Sequence, residues 1–301
     1  MISIGLIIGL LIILAAILIA ALSKPLNLNK HFYVKLFFAL LVLTTLSSLF
    51  SYFIQISVLG LAGSLFFFFT IAFVILHSSE ALGNKKAAIF LIIAFIFGLF
   101  SEAIAVQLGA YYYTIPTFFF GLVPFATPIS WVILIYVSYM LTDLFLFGFG
   151  GKKPKKTDNI WYFVGMIILL SSISGFITVN LDMILDPVSV APSVAQWIYI
   201  GGGPYFNVPL SNFLTWFVIT VLVILIFRFY EAFSIKEDSH PELKTYWYII
   251  IIYIFFYLFN AVKAYSLGKI ELILIGTTTM APFILIGLLA ILLNNKRRRL
   301  R

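Results

Sequence analysis

Three acidic residues stand where an apolar chain has no ordinary use for charge. Glu102 lies in FGLFSEAIAVQLG, inside an apolar run, and Asp182 and Asp186 lie in NLDMILDPV at the end of another. An acid at mid-bilayer costs about 2.5–3.5 kcal/mol on insertion scales, so each of these requires a reason. Shielded from water, a carboxyl keeps its proton at neutral pH and serves as a general acid, while an ionised neighbour accepts a proton. The competing account is structural: Glu102 joins two helices, and the aspartates mark a helix end with its loop contacts. Asp182 and Asp186 are four apart and share a face if the helix continues. Pro187 disfavours a helical conformation at the residue before it, which predicts that the helix ends at Asp186. Asn180, Asn207 and Asn212 surround the same region, and Asn212 falls in the first turns of the next apolar segment. Isolated amides of this kind more often cap or join helices than catalyse.

The elements that must position these groups are membrane spans. The chain has 301 residues, 63% of them hydrophobic and only 10% charged, against roughly 45–50% and about 25% in soluble domains. Apolar windows fall at 2–22, 34–55, 57–77, 87–107, 127–149, 160–180, 208–229, 246–264 and 271–293, each near the ~20 residues that cross a bilayer. The expected fold is all-α: a polytopic transmembrane helix bundle of eight or nine spans, one integral membrane domain over 1–301, with Pro/Gly/aromatic-rich loops on one side. Residues 2–22 read as a retained first helix, since no basic residue precedes them and no small-x-small cleavage site follows. Gly5 and Gly9 in that window have the spacing of a close helix contact.

Orientation follows from the basic residues. With the N-terminus outside and nine alternating spans, seventeen of the 19 lysines and arginines fall in the loops 23–35, 78–86, 150–159 and 228–245 or in the tail, and only Lys263 and Lys269 fall outside. This places the protein in the cell membrane with a cytoplasmic C-terminus. It also puts the two long loops 108–126 and 181–207, which hold no lysine or arginine, on one extracytoplasmic side. Glu80 and Asp143, near lysine-bearing loops, suit interfacial pairing, and Lys269 and Glu271 suit snorkelling at the outer boundary.

Other chemistries find little support. The chain has no cysteine, which excludes disulfides, thiolate catalysis and thiolate metal sites. His31, His77 and His240 form no HxxxH or HExxH pair, so no metal is expected. The net charge of +8 sits in short runs and in NNKRRRLR, which suits anionic lipid headgroups and not nucleic acid. Lys263 lies near a span end, not mid-helix as a Schiff-base lysine would. YIGGGPYF follows no strand and precedes no soluble helix, which argues against a phosphate cradle. Trp131, Trp197 and Trp216 map to the boundary that holds the three acids; an aromatic belt explains them by default, and a cavity for a long apolar substrate is the alternative.

The segment SEAIAVQLGAYYYT…GLVPFATPISW resembles the E-x-x-G-x-x-x-G-x-Y-x-Y then P-x-x-x-W pattern of the membrane carotenoid biosynthesis proteins, which include carotenoid 1,2-hydratases and bisanhydrobacterioruberin hydratases. A second block resembles that family's D-x-x-x-DP, W-x-W-like pair, Y-x-G-x-P turn and N-x-x-G-W, here Asp182, Asp186, Pro187, Trp197, Tyr199, Tyr205, Asn207, Pro209, Asn212 and Trp216. The resemblance covers a core of about 75–225. It departs at Tyr199, where a second tryptophan is usual, at Asn207 and Thr215, where glycine is usual, and at the early glycine, where Ala105 or Val106 stands.

The resemblance implies a hydro-lyase that adds water to the terminal isopropylidene double bond of a linear carotenoid (C40 or C50) or another polyisoprenoid. An alkene is a poor base, so a neutral carboxylic acid must protonate it, and water must then capture the tertiary cation. Asp182 or Asp186 is the expected acid, with Glu102 and Asn212 orienting water, or these roles are exchanged. Tyr112, Tyr113, Trp131, Trp197, Tyr205 and Trp216 are the expected substrate-binding residues, whose aromatic faces stabilise a cation by about 0.5–2 kcal/mol per ring. No cofactor is required; the expected partners are the substrate, water and membrane lipids, with other carotenoid enzymes as further candidates. Two rivals remain: a non-catalytic carotenoid- or isoprenoid-binding protein, and a transporter of small lipophiles, although transporters break helices near the midplane and here the breaks cluster on one side.

Overall fold

A computed structural model describes residues 29–53, 59–233 and 246–299. Eight described helices are each long and apolar enough to cross a membrane, which makes this a multi-pass membrane protein. In chain order they are α1 (Lys30–Phe53), α2 (Leu59–Leu82), α3 (Asn84–Gln107), α4 (Ala126–Gly148), α5 (Ile160–Ser189), α6 (Leu210–Phe233), α7 (Tyr246–Ser266) and α8 (Ile270–Arg299). Helix is what such sequences must form, because lipid offers no partner for an unpaired peptide group. The apolar window 2–22, with Gly5 and Gly9, lies outside the described residues. Two three-residue strands, β1 (Tyr111–Tyr113) and β2 (Trp197–Tyr199), interrupt the all-α plan within the two loops that lack basic residues.

The chain divides into two compact units, the boundary falling after Leu91 within α3. In the first, α1 packs along α2. The Lys30 ammonium donates to Ser79 at 2.9 Å and to Asn84, and His31 Nδ1 meets Glu80 at 2.9 Å. Glu80 is thus paired, as its place beside a basic segment predicts.

The second unit is built around α4. Some 83% of that span is buried, against 44% or less for the other spans of the unit, so α4 is the core on which α5, α7 and α8 pack. At the end of α4 away from the strands, four charges and a phenol close the bundle. Lys153 Nζ sits 3.0 Å from Asp143 and 2.8 Å from Glu231, and Arg228 pairs with Asp143 at 2.9 Å. Tyr139 donates to Glu231 at 2.8 Å and accepts from Lys153 at 2.9 Å. Burial alone would lower the Lys153 pKa, but the Asp143 and Glu231 carboxylates outweigh it and hold the ammonium above its usual range.

Helix α5 corrects one expectation. It does not end at Asp186 but runs through Pro187 to Ser189. Proline has no N–H to give the carbonyl four residues back, which here is that of Met183. The Tyr205 hydroxyl donates to that carbonyl at 2.8 Å and replaces the missing bond, so the helix continues and Asp182 and Asp186 keep one face. Burial, and then the nearby Asp182 carboxyl, push the Tyr205 phenol up to about 12, so it remains a donor at any working pH.

Two outcomes follow. Tyr205→Phe should lower stability by about 1–3 kcal/mol, the cost of an unsatisfied buried carbonyl, and Pro187→Ala should abolish most of that loss by restoring an N–H; thermal unfolding in detergent reads both. Lys153→Met should cost about 3 kcal/mol by stripping a buried ion pair of one partner, whereas Lys152→Met on the same loop should change stability by less than about 0.5 kcal/mol.

Candidate active site

Two segments distant in the chain meet through the small sheet. β1 and β2 pair antiparallel, with Tyr111 opposite Tyr199, Tyr112 opposite Ile198 and Tyr113 opposite Trp197. Thr114 N–H to Gln196 and Ile200 N–H to Ala110 extend the ladder at both ends. The glycine run that follows β2 is backbone geometry: Gly201 and Gly202 have φ of +83° and +63°, and a Cβ on Gly203 would lie 2.1 Å from the Val208 carbonyl carbon. Asn207 has φ +68°, a left-handed conformation that asparagine adopts more readily than most residues, so it can stand where the family pattern has glycine.

Alternation along β1 sends Tyr111 and Tyr113 to the same side, where both phenols donate to Glu102 Oε2. Trp131 of α4 donates its indole N–H to Glu102 Oε1 at 2.7 Å. Three neutral donors therefore satisfy this acid, and no cation is among them. Burial, and next the Glu102 carboxyl, raise both phenols well above the ordinary tyrosine range, so they stay protonated and keep donating. Close approach of α3 to α4 depends on Gly98, where a Cβ would fall 2.6 Å from the Trp131 Cβ.

The second acidic group is the aspartate pair of α5. Asp182 and Asp186 are fully buried, and a single amide holds both. Asn212 Nδ2, in the first turn of α6, lies 2.9 Å from Asp182 Oδ2 and 2.7 Å from Asp186 Oδ2. Tyr199 donates to the same Asp186 oxygen at 2.6 Å. Asp182 Oδ1 is buried with no hydrogen-bond partner. Apart from each other, the aspartates again meet neutral partners.

Both groups bear on a cavity of about 310 Å³ whose wall includes Glu102, Tyr111, Trp131, Tyr199, Asn212 and Trp216. The indoles of Trp131 and Trp216 pack on each other 4.4 Å apart, tilted by 35°, and both belong to the cavity wall beside Glu102. The aspartates do not line this space; Asn212 and Tyr199 stand between. The structure thus brings Asp182, Asp186, Glu102, Asn212, Trp131 and Trp216 to one place. Tyr113 reaches it through Glu102, while Trp197 packs on Tyr113 at 6.2 Å and Tyr205 braces α5. Tyr112 is 48% exposed on the other face of β1. Tyr111 and Tyr199 are wall residues absent from the expected set, and the signal for Tyr111 is present in the period-two pattern of Tyr-x-Tyr. Among the described residues, no three His, Asp or Glu side chains converge as a metal would need.

Gly98→Ala should push Trp131 off Glu102 and lower the stability of the unit; a changed near-ultraviolet circular dichroism spectrum together with a reduced melting temperature checks it, and a spectrum identical to wild type would contradict this account of the helix contact.

A family model described as carotenoid biosynthesis protein matches residues 62–283, a wider span than the 75–225 core that the motifs outline. No curated protein and no solved structure matches the chain. The family match takes in every element that lines the cavity, α3, α4, α6 and both strands, and α5 with the two aspartates. With most of its length covered, the chain belongs to the carotenoid biosynthesis protein family, and its role lies in carotenoid biosynthesis.

Proposed function

We propose that the protein is a hydratase that adds water to the terminal isopropylidene double bond of a linear C40 or C50 carotenoid, giving a tertiary alcohol. The observation that carries this reading is a carboxyl, Glu102, facing an aromatic cavity against which two further buried carboxyls bear through Asn212 and Tyr199. Protonation of the olefinic CH carbon by the aspartate pair forms a C–H bond and leaves a cation on the dimethyl carbon. Two carboxyls held by one amide cannot both carry charge cheaply, which favours a proton on the pair. The Trp131 and Trp216 rings face the cation without trapping it. Water held by Glu102 and Asn212 then forms the C–O bond and yields its extra proton to Glu102. Alkene plus water gives alcohol, with no redox change.

Size supports the same reading. A cavity of about 310 Å³ lies at the lower limit of sites for drug-sized ligands, roughly 300–1,000 Å³. It suits one end group with water, while the polyene remains in the bilayer. With the N-terminus outside and the C-terminus cytoplasmic, the cavity would open at the extracytoplasmic face of the cell membrane. The position of the aspartates behind the wall favours a second reading, in which the site binds a carotenoid end without reacting.

In cells that accumulate a linear carotenoid, the wild type should yield product heavier by one water per modified end, seen by chromatography and mass spectrometry. Asp186→Asn, Asp182→Asn and Glu102→Gln should each depress conversion by about 10²–10⁴-fold, the usual worth of a positioned acid or base. Full activity in all three variants would refute the carboxylic-acid mechanism, and copurified pigment of unchanged mass would support the binding protein.

A further inference from the structure

The aspartates that would hold the proton and the cavity that would hold the olefin are separated by two side chains, Asn212 and Tyr199. They are not equivalent as conductors. The Asn212 amide nitrogen is a donor only and is already committed to both carboxyls. The Tyr199 hydroxyl accepts and donates at the same oxygen. It donates to Asp186 Oδ2 at 2.6 Å, and Tyr199 is one of the residues of the cavity wall.

We infer that Tyr199 is the catalytic residue that passes the proton of the aspartate pair to the double bond. The inference rests on the hydration reading and deepens it. When the olefin fills the cavity, the Tyr199 hydroxyl turns from Asp186, to which it donates in the structure, toward the CH carbon; its O–H bond then breaks toward that carbon, whose π electrons form the new C–H bond. In the same step a proton moves from Asp186 to the Tyr199 oxygen, so the phenol is regenerated and neither a phenolate nor a protonated phenol forms. The pair ends one proton poorer, Glu102 gains one from the captured water, and exchange with solvent restores both.

Three features hold the phenol for this task. Its register opposite Tyr111 fixes the strand. The Tyr111 ring packs edge-on at 5.4 Å and limits rotation. Burial, and then the Asp186 carboxyl, keep the phenol far above its usual range, so a proton is always present to be passed on.

The test uses purified protein in liposomes loaded with a linear carotenoid that carries an isopropylidene end. Tyr199→Phe and Asp186→Asn should each lower kcat by about 10²–10⁴-fold with KM within twofold, and the double variant should be no slower than the slower single, because groups acting in series are not additive. Independent losses that multiply in the double variant would overturn the relay, as would a Tyr199→Phe protein with wild-type kcat. Should Tyr199→Phe fail to fold, Tyr199→3,5-difluorotyrosine keeps the shape and changes only the acidity. A kcat altered more than threefold at constant KM supports the relay, and an unaltered kcat overturns it. Wild-type liposomes that hydrate nothing would refute the hydration reading itself, a result distinguishable from a failed relay in an active enzyme.

Discussion

A carboxyl inside a helix bundle persists only if donors inside the bundle meet it, and the identity of those donors divides this molecule into two ends. At one end Asp143 and Glu231 are met by Lys153 and Arg228. Charges cancel, and the cluster joins α4, α6 and the 149–159 loop. At the other end Glu102, Asp182 and Asp186 are met by phenols, an indole and an amide. Neutral donors satisfy hydrogen-bonding valence without fixing charge, which leaves protons free to move. The first arrangement is a fastening; the second has the form of a site.

The two-stranded sheet is the device that makes the second arrangement possible. Glu102 and the aspartates lie on different helices some eighty residues apart. The pairing of Tyr111 with Tyr199 supplies, from one short ladder, the phenols that address Glu102 and the phenol that addresses Asp186. Backbone bonds between strands thereby set the positions of side chains that the helices alone would leave to loop geometry. Gly98 and Gly203 serve the same end by letting backbones approach where any side chain would collide.

Much of this was legible in the chain itself. Apolar windows located the helices, because a span needs about twenty apolar residues and little else. The cost of buried charge singled out Glu102, Asp182 and Asp186. The four-residue spacing of the aspartates suggested a shared face, but Pro187 pointed to a helix end there. That rule considers only the chain's own sterics; the Tyr205 hydroxyl, eighteen residues on, supplies the bond that proline removes. The alternation in Gly109-x-Tyr111-x-Tyr113 already marks Tyr111 and Tyr113 as one side and Tyr112 as the other, but only the strand pairing shows which side faces Glu102.

The sequence by itself determined that the chain lives in a membrane, that it crosses many times as helix, and that three acids gather toward one end, since each follows from composition and spacing. Which donors meet those acids, and which acid touches the cavity, were decided only by tertiary structure. Hydrogen bonds reach about 3 Å, and contacts of that range between residues eighty positions apart depend on strand register and helix packing, which no local pattern encodes.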